Sequence, residues 1–231
     1  MRASRAARAL LLVALLAWSA AAEPAREPRI VSLNPSLTAI LLAIGAGDAL
    51  VGVDDWSARD LAPVAGLPRV GGLFNPSIEG ILALLPDLVV WVPSAQQRDL
   101  RTRLEELGVE VLELDNISLA QVLESIETLG ARVGRADAAR ERVHAIRAAF
   151  TRAERTAARR DRQRAVMVLQ RDPLYVVGGG SFLDAMLAAA GATNLAAGFD
   201  EPYPRVGVEW LVAARPERLL DAAPGSQDAG A

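Results

Sequence analysis

The 231-residue chain contains no cysteine, no lysine and a single histidine, His144. Without cysteine the protein has no disulfide, no thiolate nucleophile and no thiolate metal site. One histidine excludes a His-rich metal centre within the chain. Aromatic residues make up only 4% of the sequence. All 25 basic residues are arginine, yet the formal net charge is −3, so the composition does not favour a nucleic-acid-binding protein.

Apolar runs long enough to span a membrane are also missing. The most apolar stretch, Ala9–Trp18, follows three arginines and precedes the small residues Ala20–Ala22. This order is typical of a secretory signal peptide, which we predict over residues 1–22 with cleavage before Glu23. Removing its three arginines would change the formal net charge from −3 to −6. No cysteine follows the cleavage site, so the sequence predicts a soluble exported protein without a lipid anchor.

Short apolar segments alternate with helical segments along most of the chain. This alternation predicts an α/β fold with central, mainly parallel sheets in two lobes joined by a single long helix. The predicted organisation is a linker at 23–28, an N-terminal α/β lobe at 29–117, an interlobe helical backbone at 118–164, a shorter C-terminal α/β lobe at 165–221 and a disordered tail at 222–231. Within the backbone we predict one helix to about Arg132 and a second over Ala136–Arg164. We also predict a helix Leu37–Ile44 capped by Ser36 and a loop over Ala58–Pro68.

One unit occurs twice, as RVGGLFNPSIEGILALLPDLVVW at Arg69–Trp91 and as PYPRVGVEWLVAARPERLLDA at Pro202–Ala222. Each copy has a glycine-marked turn, a short helix with a glutamate in its opening turn, a proline and an apolar run. The glutamates are Glu79 and Glu209. A carboxylate near a helix N-terminus stabilises that helix by about 0.3–1 kcal/mol, which is a sufficient reason for either one alone. The repetition of the whole context is what helix stabilisation does not explain.

Four of the few aromatic residues lie in predicted loops or at strand ends. They are Trp56, Phe74, Tyr175 and Tyr203. Ordinary packing would account for any one of them. Four in comparable positions favour a platform for a ligand between the lobes. Trp91 and Trp210 are embedded in apolar runs and are predicted to lie in the core.

The segment Gly178–Gly180 precedes a predicted helix but matches neither a phosphate-binding loop nor a dinucleotide-binding fingerprint, so we predict a tight strand-to-helix turn. Ser181, His144 and Asp184 supply the residue types of a hydrolase triad. The G-x-S-x-G elbow is absent, and His144 lies on the predicted interlobe helix, far in sequence from Ser181. A secreted serine hydrolase is therefore the alternative from another functional class, and a surface position is predicted for His144.

The motifs together resemble the periplasmic binding proteins of cobalamin, haem and iron-siderophore ABC importers. The resemblance covers about Arg29 to Leu220 and rests on four segments: RIVSLNPSLTAILLAIGAGDALVGV, VGGLFNPSIEGILALLPDLVV, GGGSFLDAMLAAAGATNLA and YPRVGVEWLVAARPE. It implies a monomeric, non-enzymatic carrier without a resident cofactor or metal. Such a carrier captures its ligand between two lobes and delivers it to an inner-membrane permease dimer.

Site residues follow from the same resemblance. Glu79 and Glu209 match the glutamates that dock onto permease arginines, one from each lobe. Trp56, Tyr175 and Tyr203 match ring positions of the cobalamin-binding branch, which makes cobalamin or a related corrinoid the first-choice ligand. Leu73 stands where that branch has an aromatic residue, with Phe74 beside it. Haem, which tyrosine can ligate, and siderophores remain alternatives, as does a degenerate carrier that has lost its ligand.

The C-terminus departs from the family pattern. Relatives continue beyond the second unit with further strands and a final helix, whereas this chain ends at Ala231 after a low-complexity tail. We therefore expect a second lobe that lacks part of its sheet and exposes a strand edge or apolar surface.

Overall fold

Four strands of the first lobe pair as an entirely parallel sheet in the computed structural model, which describes residues 27–93 and 99–223. The sheet has the order β2-β1-β5-β6. Its strands are β1 (Ile30–Ser32), β2 (Leu50–Val53), β5 (Leu88–Trp91) and β6 (Glu110–Glu113). All residues of β1 and β5 are buried, as expected for parallel strands covered on both faces.

Helices cover both faces of this sheet. They are α1 (Pro35–Ala43), α2 (Asp55–Asp60), α3 (Ile78–Ala83) and α4 (Leu100–Glu106), with short 3₁₀ turns at Gly47–Ala49 and Ala62–Val64. Successive residues of a strand point to opposite faces. Ile30 accordingly packs in one apolar cluster with Leu41 and Leu129, whereas Val31 packs in a second cluster with Trp91 and Leu104.

Two helices lead from the first lobe to the second. Helix α5 (Leu119–Arg132) begins at Ser118 with a capping box, in which Ser118 and Gln121 each accept a hydrogen bond from the other's backbone N–H. Helix α6 (Ala136–Ala157), with 22 residues, is the longest helix in the described part of the chain and contacts both α5 and the first helix of the second lobe. Only Ala139 and Val143 of α6 are buried, so most of this helix faces solvent.

The second lobe contains a smaller sheet built around β7 (Gln163–Arg171). β9 (Ala192–Asn194) and β10 (Arg218–Asp221) pair with β7 in parallel, and β8 (Leu174–Val176) pairs with it antiparallel. Its helices are α7 (Phe182–Ala189) and α8 (Val208–Ala214). Its core centres on Val166, Val168, Val176 and Ala196. The mainly parallel, two-lobed α/β fold predicted from the sequence is confirmed.

Three local predictions were wrong. Asn34, not Ser36, caps α1: its Oδ1 accepts from Ser36 N at 2.9 Å, and Pro35 occupies the first helical position, where a missing N–H removes no helical hydrogen bond. The predicted loop over Ala58–Pro68 contains the second half of α2 and the 3₁₀ turn Ala62–Val64. The second backbone helix ends at Ala157 rather than Arg164, because Gln163 and Arg164 pair with β9 as the start of β7.

Some predictions fall outside the described residues. The signal peptide (1–22), most of the linker (23–28) and most of the tail (222–231) belong to this group. Within residues 27–93 and 99–223, no helix combines the length and apolar character that a membrane crossing requires.

Candidate functional site

Two aromatic side chains of the first lobe lie on neighbouring segments. Trp56 lies in the first turn of α2, directly after β2, and its side chain is 43% exposed. The sequence analysis predicted a loop at this position. Phe74 lies at the tip of a hairpin formed by β3 (Gly71–Gly72) and β4 (Asn75–Pro76), and is 65% exposed. Exposed rings of this size are available to a ligand.

The hairpin is held beside α2. A Cβ atom built on Gly72 would lie 3.9 Å from Asp55 Oδ2. Gly71 has φ +99°, and a side chain there would meet Asn75 O at 2.8 Å, so this turn requires glycine. The hairpin therefore brings Phe74 and the half-buried Leu73 towards the helix that carries Trp56.

The two tyrosines of the second lobe lie on paired segments. Val176 N donates to Pro204 O at 3.1 Å and Gly178 N donates to Pro202 O at 2.9 Å. An antiparallel bridge joins Tyr175 to Arg205. Residues directly opposite each other in a pair of strands lie on the same face of the sheet, and so do residues two positions apart in one strand. Tyr203 is two positions before Arg205, so it lies on the same face as Tyr175, as its diagonal neighbour. The pairing therefore places on one face two tyrosines that are 28 positions apart in the sequence.

Glycines permit this close pairing. A Cβ atom on Gly178 would lie 2.2 Å from Glu201 O, and one on Gly179 would lie 2.3 Å from Ala197 O. Any other residue would push away the segment that carries Tyr203. Gly178–Gly180 also connects β8 to α7, which confirms the predicted strand-to-helix turn.

A direct hydrogen bond joins the two lobes next to this turn. Phe182 N, at the start of α7, donates to Ile117 O at 2.7 Å. Ile117 lies between β6 of the first lobe and α5. The strand that carries Tyr175 runs directly into the turn that makes this contact, so Tyr175 is close in sequence to the junction of the lobes.

Glu79 and Glu209 occupy equivalent local positions. Each is the second residue of its helix, α3 or α8, and each is exposed. No hydrogen bond or ion pair within the described part of the chain engages either carboxylate. Both carboxylates therefore face solvent, available to a partner.

The residues of the hydrolase alternative have other roles. Ser181 is 2% exposed, its Oγ accepts from Asp184 N at 3.0 Å as the N-cap of α7, and it donates to Gly178 O at 3.3 Å. Asp184 accepts from Asn194 Nδ2 at 2.9 Å. His144 is exposed on α6, as predicted, and no hydrogen bond between described residues joins it to Ser181. Nothing in this arrangement supports nucleophilic catalysis.

The electrostatic environment differs between the rings. Partial burial raises the pKa of the Tyr203 hydroxyl above its usual value, so the phenol is neutral at physiological pH. The guanidinium of Arg59 lies 3.9 Å from the centroid of the Trp56 ring, a cation–π contact. The sequence analysis missed Arg59 because it left α2 unpredicted, although the three-residue spacing is a helical neighbour relation.

The other predicted aromatics and the recesses lie apart from these rings. Trp91 is 2% exposed, which confirms its predicted core position, and Trp210 is half-buried with an edge-to-face contact to Phe199 at 5.3 Å between centroids. A recess of about 410 Å³ lies between the end of α6 and Gly191, and another of about 210 Å³ lies between α1, α5 and α6. Neither recess is lined by the four candidate rings. Among the described residues no group of three His, Asp or Glu side chains is arranged to hold a metal ion.

Comparison with known proteins gives a consistent result. The sequence profile of the periplasmic binding protein family matches residues 30–228. The vitamin B12-binding protein of Salmonella typhimurium is 28% identical over 214 residues, which cover 92% of this chain and 77% of that protein. The structure of the periplasmic vitamin B12-binding protein BtuF of Vibrio cholerae matches with a TM-score of 0.72 at 27% identity, covering 84% of this chain and 76% of that one. A periplasmic haem-binding protein from Pseudomonas aeruginosa matches with a TM-score of 0.76 at 29% identity, covering 86% and 72% respectively.

Proposed function

Because this chain belongs to the periplasmic binding protein family, we propose that it is the solute-binding component of an ABC importer for a large, flat tetrapyrrole-like ligand. Cobalamin or a related corrinoid is the first-choice ligand. The observation that carries this proposal is the position of two aromatic residues on neighbouring segments in each lobe, Trp56 and Phe74 in the first and Tyr175 and Tyr203 in the second. Rigid rings bury a large area and lose little conformational freedom when a ligand binds.

The proposed site lies between the lobes, with the first-lobe pair on one side and the second-lobe pair on the other. The hydrogen bond between Phe182 and Ile117 would lie at its floor. Helix α6 supports this arrangement, since one rigid helix between the lobes favours small closing motions around a preformed site. The carrier itself performs no chemistry on the ligand in this proposal and binds no resident cofactor.

Haem is the second candidate, favoured by the similarity to a haem-binding protein structure. Haem iron in proteins is held by axial ligands such as histidine or tyrosine. The only histidine, His144, is on the exposed surface of α6, and burial raises the pKa of Tyr203, which disfavours a phenolate ligand there. Tyr175 is then the remaining candidate for an axial ligand. Because only this side chain is left to hold haem iron, cobalamin stays the first-choice ligand in this proposal.

Absorbance titration of residues 23–231 with cyanocobalamin and with haemin tests the ligand. We expect saturable binding of cyanocobalamin, weaker binding of haemin, and no binding of either if the chain is a degenerate carrier. Trp56→Ala and Tyr203→Ala should each weaken binding with the circular dichroism spectrum unchanged. Phe150→Ala, on α6, is the matched control and should bind like the parent protein. Unchanged affinity in both site variants would refute the ring assignment.

We further propose that Glu79 and Glu209 dock the carrier onto an inner-membrane permease dimer. Exposed charge pairs contribute orientation and association rate more than affinity, and two of them would fix the carrier across the permease. The double variant Glu79→Gln/Glu209→Gln should bind ligand normally but fail to support uptake of labelled ligand in cells. Glu106→Gln, an exposed residue of α4, is the control. Normal uptake by the double variant would reject the docking role.

The remaining proposals concern the form of the mature protein. We propose a periplasmic monomer released by cleavage after residue 22, with an N-terminal lobe at 29–117, a helical backbone at 118–164 and a C-terminal lobe at 165–221. N-terminal sequencing of protein from the periplasm should begin at Glu23. Light scattering should give the mass of one chain.

A further inference from the structure

Four polar side chains are completely buried where β1 and β2 end. They are Ser32, Thr38, Asp54 and Ser57, each with 0% exposure. Thr38 Oγ1 donates to Ser32 Oγ at 2.8 Å and lies 2.9 Å from Ser57 Oγ. Ser57 Oγ in turn donates to Asp54 Oδ2. These four residues, which we call the α2 anchor, form one continuous hydrogen-bonded network inside the first lobe.

Asp54 is the member of the α2 anchor that meets the candidate binding site. Its Oδ1 accepts from Trp56 N at 2.9 Å and from Ser57 N at 3.0 Å, and its own N–H donates to Ser32 O at 3.0 Å. The backbone of Trp56 is thus tied through one carboxylate to the end of β1. Since the network also includes Thr38 of α1, hydrogen bonds connect Asp54 to the ends of two strands and to two helices.

Helix capping alone does not require this arrangement. An N-cap is provided as well by serine or asparagine, usually at the surface. A fully buried carboxylate is costly unless its hydrogen bonds are satisfied, and no ion pair within the described residues includes Asp54. The chain therefore maintains a fully buried polar network that is hydrogen-bonded to the backbone of Trp56, whose ring is exposed.

The Trp56 ring is restrained as well as its backbone. The Arg59 guanidinium covers one face of the indole, and Arg59 is itself held by Asp60 through two hydrogen bonds of 2.7 and 2.8 Å. Only the opposite face of the ring is then open to a flat ligand. Asp54 holds the backbone from which the Trp56 side chain extends, and Arg59 determines which face of the Trp56 ring is open to a ligand.

We propose that Asp54 is a positioning residue, which acts with the rest of the α2 anchor to hold the Trp56 indole in one orientation before ligand arrives. The proposal rests on the ligand platform described under Proposed function. Its physical basis is preorganisation: a ring that is already ordered loses less conformational entropy on binding.

Asp54→Ala should weaken ligand binding roughly three- to tenfold, because Trp56 must then be ordered during binding. Asp54→Asn keeps an acceptor for the two backbone N–H groups and should restore affinity to near that of the parent. The decisive measurement is a double-mutant cycle: in a Trp56→Ala background, Asp54→Ala should have no further effect. An equal loss of affinity in both backgrounds would overturn the proposal, because it would mean that Asp54 acts on the lobe as a whole.

A second readout needs no ligand. In residues 23–231 carrying Trp91→Phe and Trp210→Phe, Trp56 is the only tryptophan. Its fluorescence anisotropy decay should gain a fast component in Asp54→Ala and, to a smaller extent, in Thr38→Val, which removes a hydroxyl but leaves the helix cap intact. An unchanged decay in variants that remain folded would overturn the proposal. Altered decay in a protein that binds neither cyanocobalamin nor haemin would instead reject the proposed function while leaving the positioning role of Asp54 intact.

Discussion

The segments Ile78–Trp91 of the first lobe and Val208–Asp221 of the second lobe follow the same local course in very different surroundings. Each starts with a helix whose second residue is glutamate, and a residue with φ of 47°, Leu85 or Arg215, follows that helix within two positions. A proline follows in both, and then a strand parallel to the first strand of its lobe. Yet every residue of β5 is buried, whereas every residue of β10 is exposed.

The equivalence extends to the residues that hold each unit in place. Arg29 N donates to Asp87 Oδ2 at 2.7 Å, and Asp87 N donates back to Arg29 O at 2.8 Å. In the second lobe Arg164 N donates to Glu217 Oε2 at 2.8 Å, and Glu217 N donates to Arg164 O at 2.8 Å. The same reciprocal pair therefore connects the start of the first strand to the residue after the proline in both lobes.

The guanidinium groups complete this clamp. Arg29 Nη2 donates to Leu84 O, and Arg164 Nη2 donates to Ala214 O, both at 2.7 Å. Each arginine thus satisfies a carbonyl at the end of a helix, a group that lacks an intrahelical partner. The comparison shows that short-range sequence determines the helix and the turn, whereas burial depends on neighbouring strands. β5 pairs with β1 and β6, but β10 pairs within the described residues only with β7.

The largest expected difference between the two units concerns their strands. Val89 and Leu219 are matched positions with 0% and 55% exposure. Val89→Asp would bury an unpaired carboxylate and should lower the free energy of unfolding by more than about 4 kcal/mol. Leu219→Asp should change it by only about 0.5 kcal/mol or less. Urea denaturation followed by circular dichroism measures both, and similar losses would show that β10 is covered in solution.

The two clamps should differ less. Arg29 donates three hydrogen bonds through its side chain, to Leu84 O and Leu85 O, and is half-buried. Arg164 is exposed and donates one, to Ala214 O. A hydrogen bond that involves a charged group contributes about 1.5–3 kcal/mol to stability when it is sheltered from solvent. Arg29→Ala should therefore lower the free energy of unfolding by an amount in that range, and Arg164→Ala should lower it clearly less. Equal losses in urea denaturation would mean that the second clamp is as sheltered as the first.

The units also show what sequence patterns predicted. Ser77, which directly precedes the helix of Glu79, is a favoured capping residue type, and its Oγ accepts from Gly80 N at 3.0 Å. The buried strand after Pro86 was expected from its continuous apolar run. These signals are local: a capping residue, a proline and an uninterrupted run of apolar side chains each act within a few positions of themselves.

What could not be predicted depends on contacts between distant residues. The diagonal pairing of Tyr175 with Tyr203 requires a close backbone approach at Gly178, which the sequence signals only as a turn. Helix α2 was missed because it has only six residues, and its capping residue, Asp54, is held by a backbone hydrogen bond to Ser32 of another strand. The C-terminal end of α6 was misplaced because the strand that follows it is rich in arginine and is defined by its partners in the sheet.

The smallest expected difference between β10 and β5 concerns their last residues, Asp221 and Trp91. Asp221 Oδ2 accepts from Arg171 Nη2 at 2.8 Å and from Nε at 3.0 Å, which ties β10 to the end of β7. The hydrogen bonds from Arg171, with a smaller contribution from Ala223 N, hold the pKa of Asp221 below its usual value. A lowered pKa in the folded state stabilises that state at pH values above the usual range for aspartate, and the stabilisation is lost as pH falls through the lowered pKa.

Hydrogen exchange, corrected for intrinsic rates, should therefore show β10 amides losing protection in this acidic range while β5 amides keep theirs. Asp221→Asn should show reduced β10 protection already at neutral pH and no further acid response from this site. The effect will be modest because the ion pair is exposed to solvent. If Asp221→Asn protects β10 as well as the parent protein does, then backbone pairing with β7 is sufficient to hold the strand, and the two units differ in burial alone.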